Sequence, residues 1–306
     1  MSVMRSVLLA ISENRWMRER GPRLWFVKRA ARKFMPGEAF DDMLRAADQL
    51  RPLGIDAVFT RLGENVADAA EASAVTSHYV DVLDAIASSG IRCEPSIKLT
   101  QLGLDLATEQ AYRNLRALAG RSHATGNYLW IDMEQTSYVD VTLELTRRLK
   151  AEFPRVGVCL QAYLYRTGDD LKALVEHGIG VRLVKGAYKE PREVAHQAKS
   201  DVDAAFVRMM QVLLAEGAFP AIATHDEKMI AATREFAAAK GIDKDRYEFQ
   251  MLFGVRRDLQ AALHGEGYGM RVYLPYGREW FPYFMRRLGE RPANVGFVVR
   301  GILSER

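Results

Sequence analysis

From Gly37 onward the chain alternates, eight times over, between short, continuously apolar runs and long stretches of helical periodicity. The pattern predicts strands over Ile55–Thr60, Cys93–Lys98, Tyr128–Asp132, Gly157–Ala162, Val181–Val184, Ala221–Thr224, Tyr247–Leu252 and Gly269–Leu274. Between them it predicts helices over Val66–Ser89, Thr108–Ser122, Tyr138–Glu152, Asp169–His177, Val202–Glu216, Glu227–Ala239 and Arg256–Gly265. Several of these finish at glycine, in Ser89-Gly90, His177-Gly178, Glu216-Gly217 and Lys240-Gly241, which is helix-stop chemistry. Strands that are apolar along their whole length belong to a parallel sheet covered on both faces. Repeated strand–helix units in 306 residues point to an α/β fold, a (βα)8 barrel, in preference to a doubly wound sheet. No composition break or flexible linker interrupts the pattern. Residues 1–40 are therefore read as a helical arm and 41–306 as one barrel domain.

Bulk properties narrow the function classes. With 48% hydrophobic and 27% charged residues the chain is globular and buries a substantial core. A net charge of +4 is too mild to demand nucleic acid, and no aromatic-rich strand carries a nucleic-acid module signature. Cys93 and Cys159 lie on separate apolar runs without ligand spacing, as buried free thiols in a reducing compartment do. Met1–Ser12 has an apolar stretch but neither a cleavage site nor the length to span a bilayer, so a cytoplasmic chain is expected. The basic excess lies in Arg15–Lys33, interleaved with Trp16, Trp25 and Phe26. Such a segment either straps over the domain or lies on an anionic membrane surface, peripheral to the inner face of the cell membrane.

The predicted strand ends carry the chemistry. They read Arg61-Leu62-Gly63-Glu64, Lys98, Asp132-Met133-Glu134, Gln161-Ala162-Tyr163, Arg182 to Tyr188, Thr224-His225-Asp226, Gln250-Met251-Leu252 and Tyr273-Leu274-Pro275. In a barrel all of these open on one mouth. Any one alone reads as a solvated rim residue or a helix cap. Together they place carboxylates, lysines, an arginine, a histidine and tyrosines around one cavity. A further helix, Trp280 to Leu288, carries Arg286 and Arg287 on an aromatic stretch, three and four residues after Tyr283. Two planar guanidinium forks there suit a small carboxylate or phosphate, and the alternative is a solvated turn paired to Glu290. The spaced histidines of a hydrolytic metal centre are missing, so no metal is expected. No Gly-x-Gly-x-x-Gly follows a strand, which leaves out a Rossmann dinucleotide site. Lys98 or Lys185 as a Schiff-base amine stays open, as does a flavin held by Arg182, Lys185 and Gln161.

Six segments, in order along the chain, resemble the proline dehydrogenase family: Ser96-Ile97-Lys98-Leu99-Thr100, Ile131-Asp132-Met133-Glu134, Arg182-Leu183-Val184-Lys185-Gly186-Ala187-Tyr188, Ala223-Thr224-His225-Asp226, Glu248-Phe249-Gln250-Met251-Leu252 and Tyr283-Phe284-Met285-Arg286-Arg287-Leu288. The resemblance runs from the barrel to the last helix, and the length is similar to the short, monofunctional bacterial form. It implies an FAD-dependent barrel that oxidises L-proline to 1-pyrroline-5-carboxylate by hydride transfer. Electrons then pass to a membrane quinone, and a separate pyrroline-5-carboxylate dehydrogenase acts downstream. By the family pattern Lys98, Arg286 and Arg287 clamp the substrate carboxylate, and Tyr273, Tyr283 and Leu252 wall the ring. Asp132 and Arg182 take the catalytic positions, Arg182 near the flavin and Asp132 orienting neighbours such as Tyr273. Met133, Gln161, Arg182, Lys185, Gly186, Ala187, Tyr188, Thr224, His225 and Gln250 match cofactor-binding positions. Glu64 matches an acid that pairs with Arg182 as a gate. Two departures stand out: Lys189 where many members carry tryptophan, and Leu252-Phe253-Gly254 in place of Leu-His-Gly. Both imply altered surroundings for flavin and pocket, and hydroxyproline would suit the arginine pair as proline does.

Overall fold

The structure, a computed structural model, describes residues 14–290; residues 1–13 and 291–306, at the outer ends of the proposed arm and barrel domain, lie outside the described residues. The strands are β1 (Asp56–Arg61), β2 (Cys93–Ile97), β3 (Leu129–Ile131), β4 (Val156–Gln161), β5 (Gly180–Val184), β6 (Pro220–Ala223), β7 (Glu248–Leu252) and β8 (Gly269–Tyr276). Each pairs in parallel with the next and β8 pairs with β1, closing the sheet into a barrel. Helices α1 (Arg15–Arg20) and α2 (Trp25–Ala31) form the arm, and α3 (Phe40–Leu50) leads into β1. Between successive strands lie α4 (Ala69–Ser89), α5 (Thr108–Ala124), α6 (Val139–Glu152), α7 (Thr167–Glu176), α8 (Lys199–Glu216), α9 (Glu227–Lys240) and α10 (Arg257–Gly265), and α11 (Trp280–Glu290) follows β8.

All the expected elements are present, with ends displaced by a few residues. The first long helix starts at Ala69 rather than Val66 because the Asp68 side chain accepts the Glu71 N–H at 2.9 Å and sets the cap there. Gly90 and Gly241 close their helices in the left-handed conformation. Gly217 does not: it is extended (φ −71°, ψ 144°), so α8 runs straight out toward β6.

Among the described residues three apolar clusters hold the fold. The largest fills the layer between barrel and helices, from Phe59 and Tyr79 to Phe206 and Phe249. A small one sits inside the barrel, where Val58, Trp130 and Ala221 meet Tyr128, Phe219 and Tyr273. An eight-stranded barrel has just enough interior for side chains, so rings this large need space from their neighbours. Gly157 and Gly180 provide it: a Cβ on Gly157 would lie 2.6 Å from the Trp130 ring, and one on Gly180 would lie 2.1 Å from the Tyr128 hydroxyl. The third cluster joins the arm to α11, with Phe34 and Met35 packed against Trp280, Phe281 and Phe284. Gly21 lies so close to Phe281 that a Cβ would meet the ring at 2.3 Å. The Trp280 indole also donates to Glu38 at 3.1 Å, so the arm is strapped onto the helix that carries the arginine pair.

Candidate active site

Because every strand is parallel, the polar residues that end them converge on one face. A cavity of about 840 Å³ opens there, between the strand ends and α11. Its lining includes every residue proposed from the sequence for catalysis, substrate or cofactor, and leaves out Glu64. The volume lies toward the upper end of ordinary ligand sites, roughly 300–1,000 Å³, and suits a large cofactor together with a small substrate.

Arg182, on β5, is the most constrained group in the cavity. It is 3% exposed, and its guanidinium lies over the Trp130 ring at 4.7 Å. Its Nε donates to Gln250 Oε1 at 2.7 Å, and its Nη1 donates to Ser96 Oγ at 2.8 Å and Asp132 Oδ1 at 2.9 Å. The third nitrogen, Nη2, is buried with no acceptor among the described residues. A buried guanidinium N–H without an acceptor is costly and marks a place where a partner belongs. Asp132 gathers three donors: Ser96 Oγ and Arg182 Nη1 on one oxygen, and the Tyr273 hydroxyl on the other at 2.7 Å. Burial, and then the Asp132 charge, push the Tyr273 phenol well above its ordinary range, so it stays a donor.

At the rim, Lys98 follows β2, and Arg286 and Arg287 project from α11 into the same cavity. Arg287 stacks over the Tyr283 ring at 5.3 Å and Arg286 over Tyr188 at 5.9 Å. The expected pairing of Glu64 with Arg182 is absent. Glu64 accepts instead from Lys98 Nζ at 2.9 Å and from Arg286 Nη2 at 3.2 Å. The reason is depth: Glu64 follows β1 on a loop at the rim, whereas Arg182 sits inside the barrel with its bonds committed to Asp132, Ser96 and Gln250. Burial alone would raise the Glu64 carboxyl, but the two cations outweigh it and hold it at about 2. Arg286 is thus partnered across the mouth and is not part of a solvated turn; the side chain of Glu290 lies outside the described residues.

On the far side of the cavity Lys185 donates to Asp203 at 2.5 Å and Asp226 at 2.6 Å, and Lys199 joins the same two carboxylates. Both Lys98 and Lys185 are engaged by carboxylates, which is not the apolar setting of a Schiff-base amine. Gln161 Nε2 donates to the Glu134 carbonyl at 2.8 Å, and His225 Nε2 accepts the Leu252 N–H at 2.9 Å. Met133, Gly186, Ala187 and Thr224 complete this part of the wall. Gly186 has φ 118°, and a Cβ there would strike the Tyr163 ring at 2.3 Å, so the chain turns where only glycine fits. Sequence reasoning missed His196, Gln197, Lys199 and Asp203, which also line the cavity. His196 and Gln197 arrive on an irregular segment folded back by a bridge between Leu164 and Ala195, Lys199 and Asp203 lie at the start of α8, and the visible signal was only the spacing of that lysine and aspartate. The two departures from the family pattern do not reach the lining. Lys189 is exposed, and Phe253 packs beneath the Arg257 guanidinium at 5.2 Å. Among the described residues no group of histidine, cysteine and carboxylate side chains could hold a metal ion.

Residues 43–300 match the family model described as proline dehydrogenase. The chain is 39% identical over 303 residues to Proline dehydrogenase 1 of Bacillus subtilis (strain 168), covering 99% of this chain and all of that protein. It is 40% identical over 279 residues to Proline dehydrogenase of Deinococcus radiodurans, 90% of each chain. Among solved structures, proline utilization A (PutA) from Bdellovibrio bacteriovorus inactivated by N-propargylglycine superposes with a TM-score of 0.79 at 27% identity. That match covers 86% of this chain but 32% of the PutA chain, so this chain spans about a third of it.

Proposed function

This chain belongs to the proline dehydrogenase family and is an oxidoreductase of proline catabolism, and from that premise we propose how it works: it oxidises L-proline to 1-pyrroline-5-carboxylate with FAD as its cofactor. The observation that carries this reading is the convergence of Lys98, Arg286 and Arg287 on one cavity, with the buried, pinned Arg182 in the same lining. The fit to a flavin rests on the donor set. The unpartnered Arg182 Nη2 and the ammonium groups of Lys185 and Lys199 are donors for an electron-rich ring system and a diphosphate. Met133, Gln161, Gly186, Ala187, Tyr188, Thr224, His225 and Gln250 would complete the cofactor's cradle. When bound, the flavin supplies the hydride acceptor.

Lys98, Arg286 and Arg287 would bind the substrate carboxylate, and charge-assisted contacts of this kind both hold and orient. Because Glu64 already occupies Lys98 and Arg286, the incoming carboxylate has to displace or share those bonds. Tyr273, Tyr283 and Leu252 would wall the pyrrolidine ring and exclude water from it. Asp132 serves as an orienting group: with three donors on its two oxygens it fixes Arg182 and Tyr273 and is poorly placed to accept the amine proton. That proton would leave to water. Arg182 presents a preorganised positive charge where negative charge develops, an arrangement whose loss typically costs about 100-fold or more in rate.

The reading extends to a membrane quinone as electron acceptor and to a cytoplasmic enzyme peripheral to the membrane. No described helix is long and apolar enough to cross a bilayer. The arm does expose Trp16 (60%), Trp25 (55%) and Leu24 (44%), beside basic residues Arg20, Arg23 and Lys28. Amphipathic aromatic and basic side chains together suit an anionic lipid surface. Free 1-pyrroline-5-carboxylate would pass to a separate dehydrogenase. Proline-dependent reduction of a quinone-like dye by the purified, yellow protein tests the whole reading. A colourless protein that borohydride traps with a keto substrate would instead favour Schiff-base chemistry at Lys98 or Lys185.

A further inference from the structure

Inside the barrel, away from the cavity, lies a group of charges that the reaction above does not use. Arg271 on β8 is buried and donates to Glu248 through Nε at 2.9 Å and Nη2 at 3.1 Å. Glu94 and Asp56 stand at 3.4 and 3.7 Å from the same guanidinium. Burial raises the carboxyls of Glu94 and Asp56 in spite of Arg271. Glu248 is the carboxylate that the guanidinium engages through two of its nitrogens.

One amide hydrogen-bonds this cluster directly to Arg182, while Glu94 reaches it only through the Trp130 indole, which donates to Glu94 at 2.8 Å and lies under the guanidinium. Gln250 Nε2 donates to Glu248 Oε1 at 2.5 Å, and Gln250 Oε1 accepts from Arg182 Nε at 2.7 Å. A carboxylate can only accept and a guanidinium can only donate. An amide between them has a single orientation that satisfies both, so Glu248 on one side and Arg182 on the other fix which way Gln250 faces. We propose that Glu248 is a positioning residue for the reaction: held by Arg271, it locks the Gln250 amide so that its oxygen, not its nitrogen, meets Arg182, and thereby fixes the angle at which that guanidinium is presented. Arg182 then has two nitrogens anchored, Nε by Gln250 and Nη1 by Ser96 and Asp132, and Nη2 is the one left for chemistry. With Gln250 flipped, an N–H would face an N–H, and the guanidinium would turn away or lose an acceptor in a dry site.

Glu248→Gln keeps shape and a hydrogen-bonding end but removes the acceptor-only rule on that side, so Arg182 alone is left to hold the Gln250 amide and the flipped orientation costs one donor mismatch instead of two. The proposal rests on the reading that Arg182 acts on the reacting atoms, so its test has one arm that needs no turnover. In protein labelled with ¹⁵N-arginine, the Arg182 Nε–H signal, assigned by its loss in Arg182→Lys, reports its hydrogen bond directly. Glu248→Gln is expected to shift or broaden that signal. In the holoenzyme, rapid anaerobic mixing with proline should show flavin reduction slowed at least about ten-fold with proline affinity within about two-fold, the size expected for one misdirected charge-assisted bond. Gln250→Met, which removes the link and leaves the Arg271–Glu248 pair, should give the same slowing, and the double variant no more than either alone. Multiplying effects, or an unchanged Nε–H signal and reduction rate in Glu248→Gln, would show that Glu248 merely partners Arg271. If Glu248→Gln does not fold, Gln250→Met decides: a parental signal and rate overturn the proposal. A parental enzyme that proline does not reduce would instead count against the functional reading and leave the spectroscopic arm to judge this one.

Discussion

Replacing Asp132 by asparagine tests the centre of the site with almost no change of shape. The carboxylate takes three donors, from Ser96 at 2.8 Å, Arg182 at 2.9 Å and Tyr273 at 2.7 Å. Asparagine has one carbonyl oxygen. If it stays toward Ser96 and Arg182, the new N–H₂ faces the Tyr273 hydroxyl, which must reverse from donor to acceptor. In the other orientation an N–H₂ meets the Arg182 guanidinium, donor against donor, so the first should dominate. The Ser96 bond then becomes neutral and the Arg182 bond keeps only the charge of the guanidinium, at a cost of about 1 kcal/mol apiece, and the third is rebuilt at a similar cost. The sum, about 3 kcal/mol, approaches the roughly 3–5 kcal/mol seen when a buried ion pair loses one partner. For a chain of this size it should lower Tm by roughly 5–10 °C. Arg182 keeps its anchors on Gln250 and Ser96 but loses its counter-charge, so flavin reduction should slow at least about ten-fold, with bound FAD retained. Differential scanning calorimetry and stopped-flow absorbance at a single proline concentration well above saturation measure the two effects. A variant that melts within a degree or two of the parent and is reduced at the parental rate would refute the claim that Asp132 holds Arg182 in its working position.

Arg287→Lys keeps the charge but loses the planar fork over Tyr283, so steady-state kinetics should show the proline KM rising about ten-fold or more, with FAD content unchanged. Glu64→Gln should alter the acid limb of stability. The folded carboxyl sits at about 2 against an ordinary 4.5, so its contribution is fully present above about 4.5 and is lost as pH falls toward 2. Denaturant titrations should therefore separate parent from variant at pH 6, narrow the gap below about pH 4.5 and close it as pH falls through about 2; a gap that stays constant with pH would contradict the Lys98–Glu64–Arg286 linkage.

The barrel was legible because its signal is local. Apolar runs such as Val156–Gln161, buried at every position, have no alternation to confuse with a surface strand, and each is bounded by helical periodicity. The mouth was legible for a topological reason: parallel strands must deliver Lys98, Asp132, Arg182 and Gln250 to one end once the order of elements is known. What was not legible depends on which side chain reaches which. The family resemblance pairs Glu64 with Arg182, and only the depth difference between a rim loop and the barrel interior sends it to Lys98 and Arg286. The Arg271–Glu248–Gln250 chain is hidden for a similar reason. Its members look like ordinary polar interruptions in β7 and β8, and only the cross-strand register of Gln250 with Arg271 brings them together. His196 and Gln197 escaped because an irregular segment has no period to read, and Lys199 and Asp203 because their spacing on a helix reads equally as a solvated ion pair.

The central claim, that this cavity brings proline to a bound flavin beside Arg182, is tested most directly by anaerobic addition of L-proline to the purified holoenzyme while the flavin spectrum is recorded. Bleaching of the visible flavin bands by proline, and its marked slowing in Arg182→Ala at saturating proline, is the result expected. A flavin spectrum that proline leaves unchanged, or an Arg182→Ala variant bleached as fast as the parent, would contradict it.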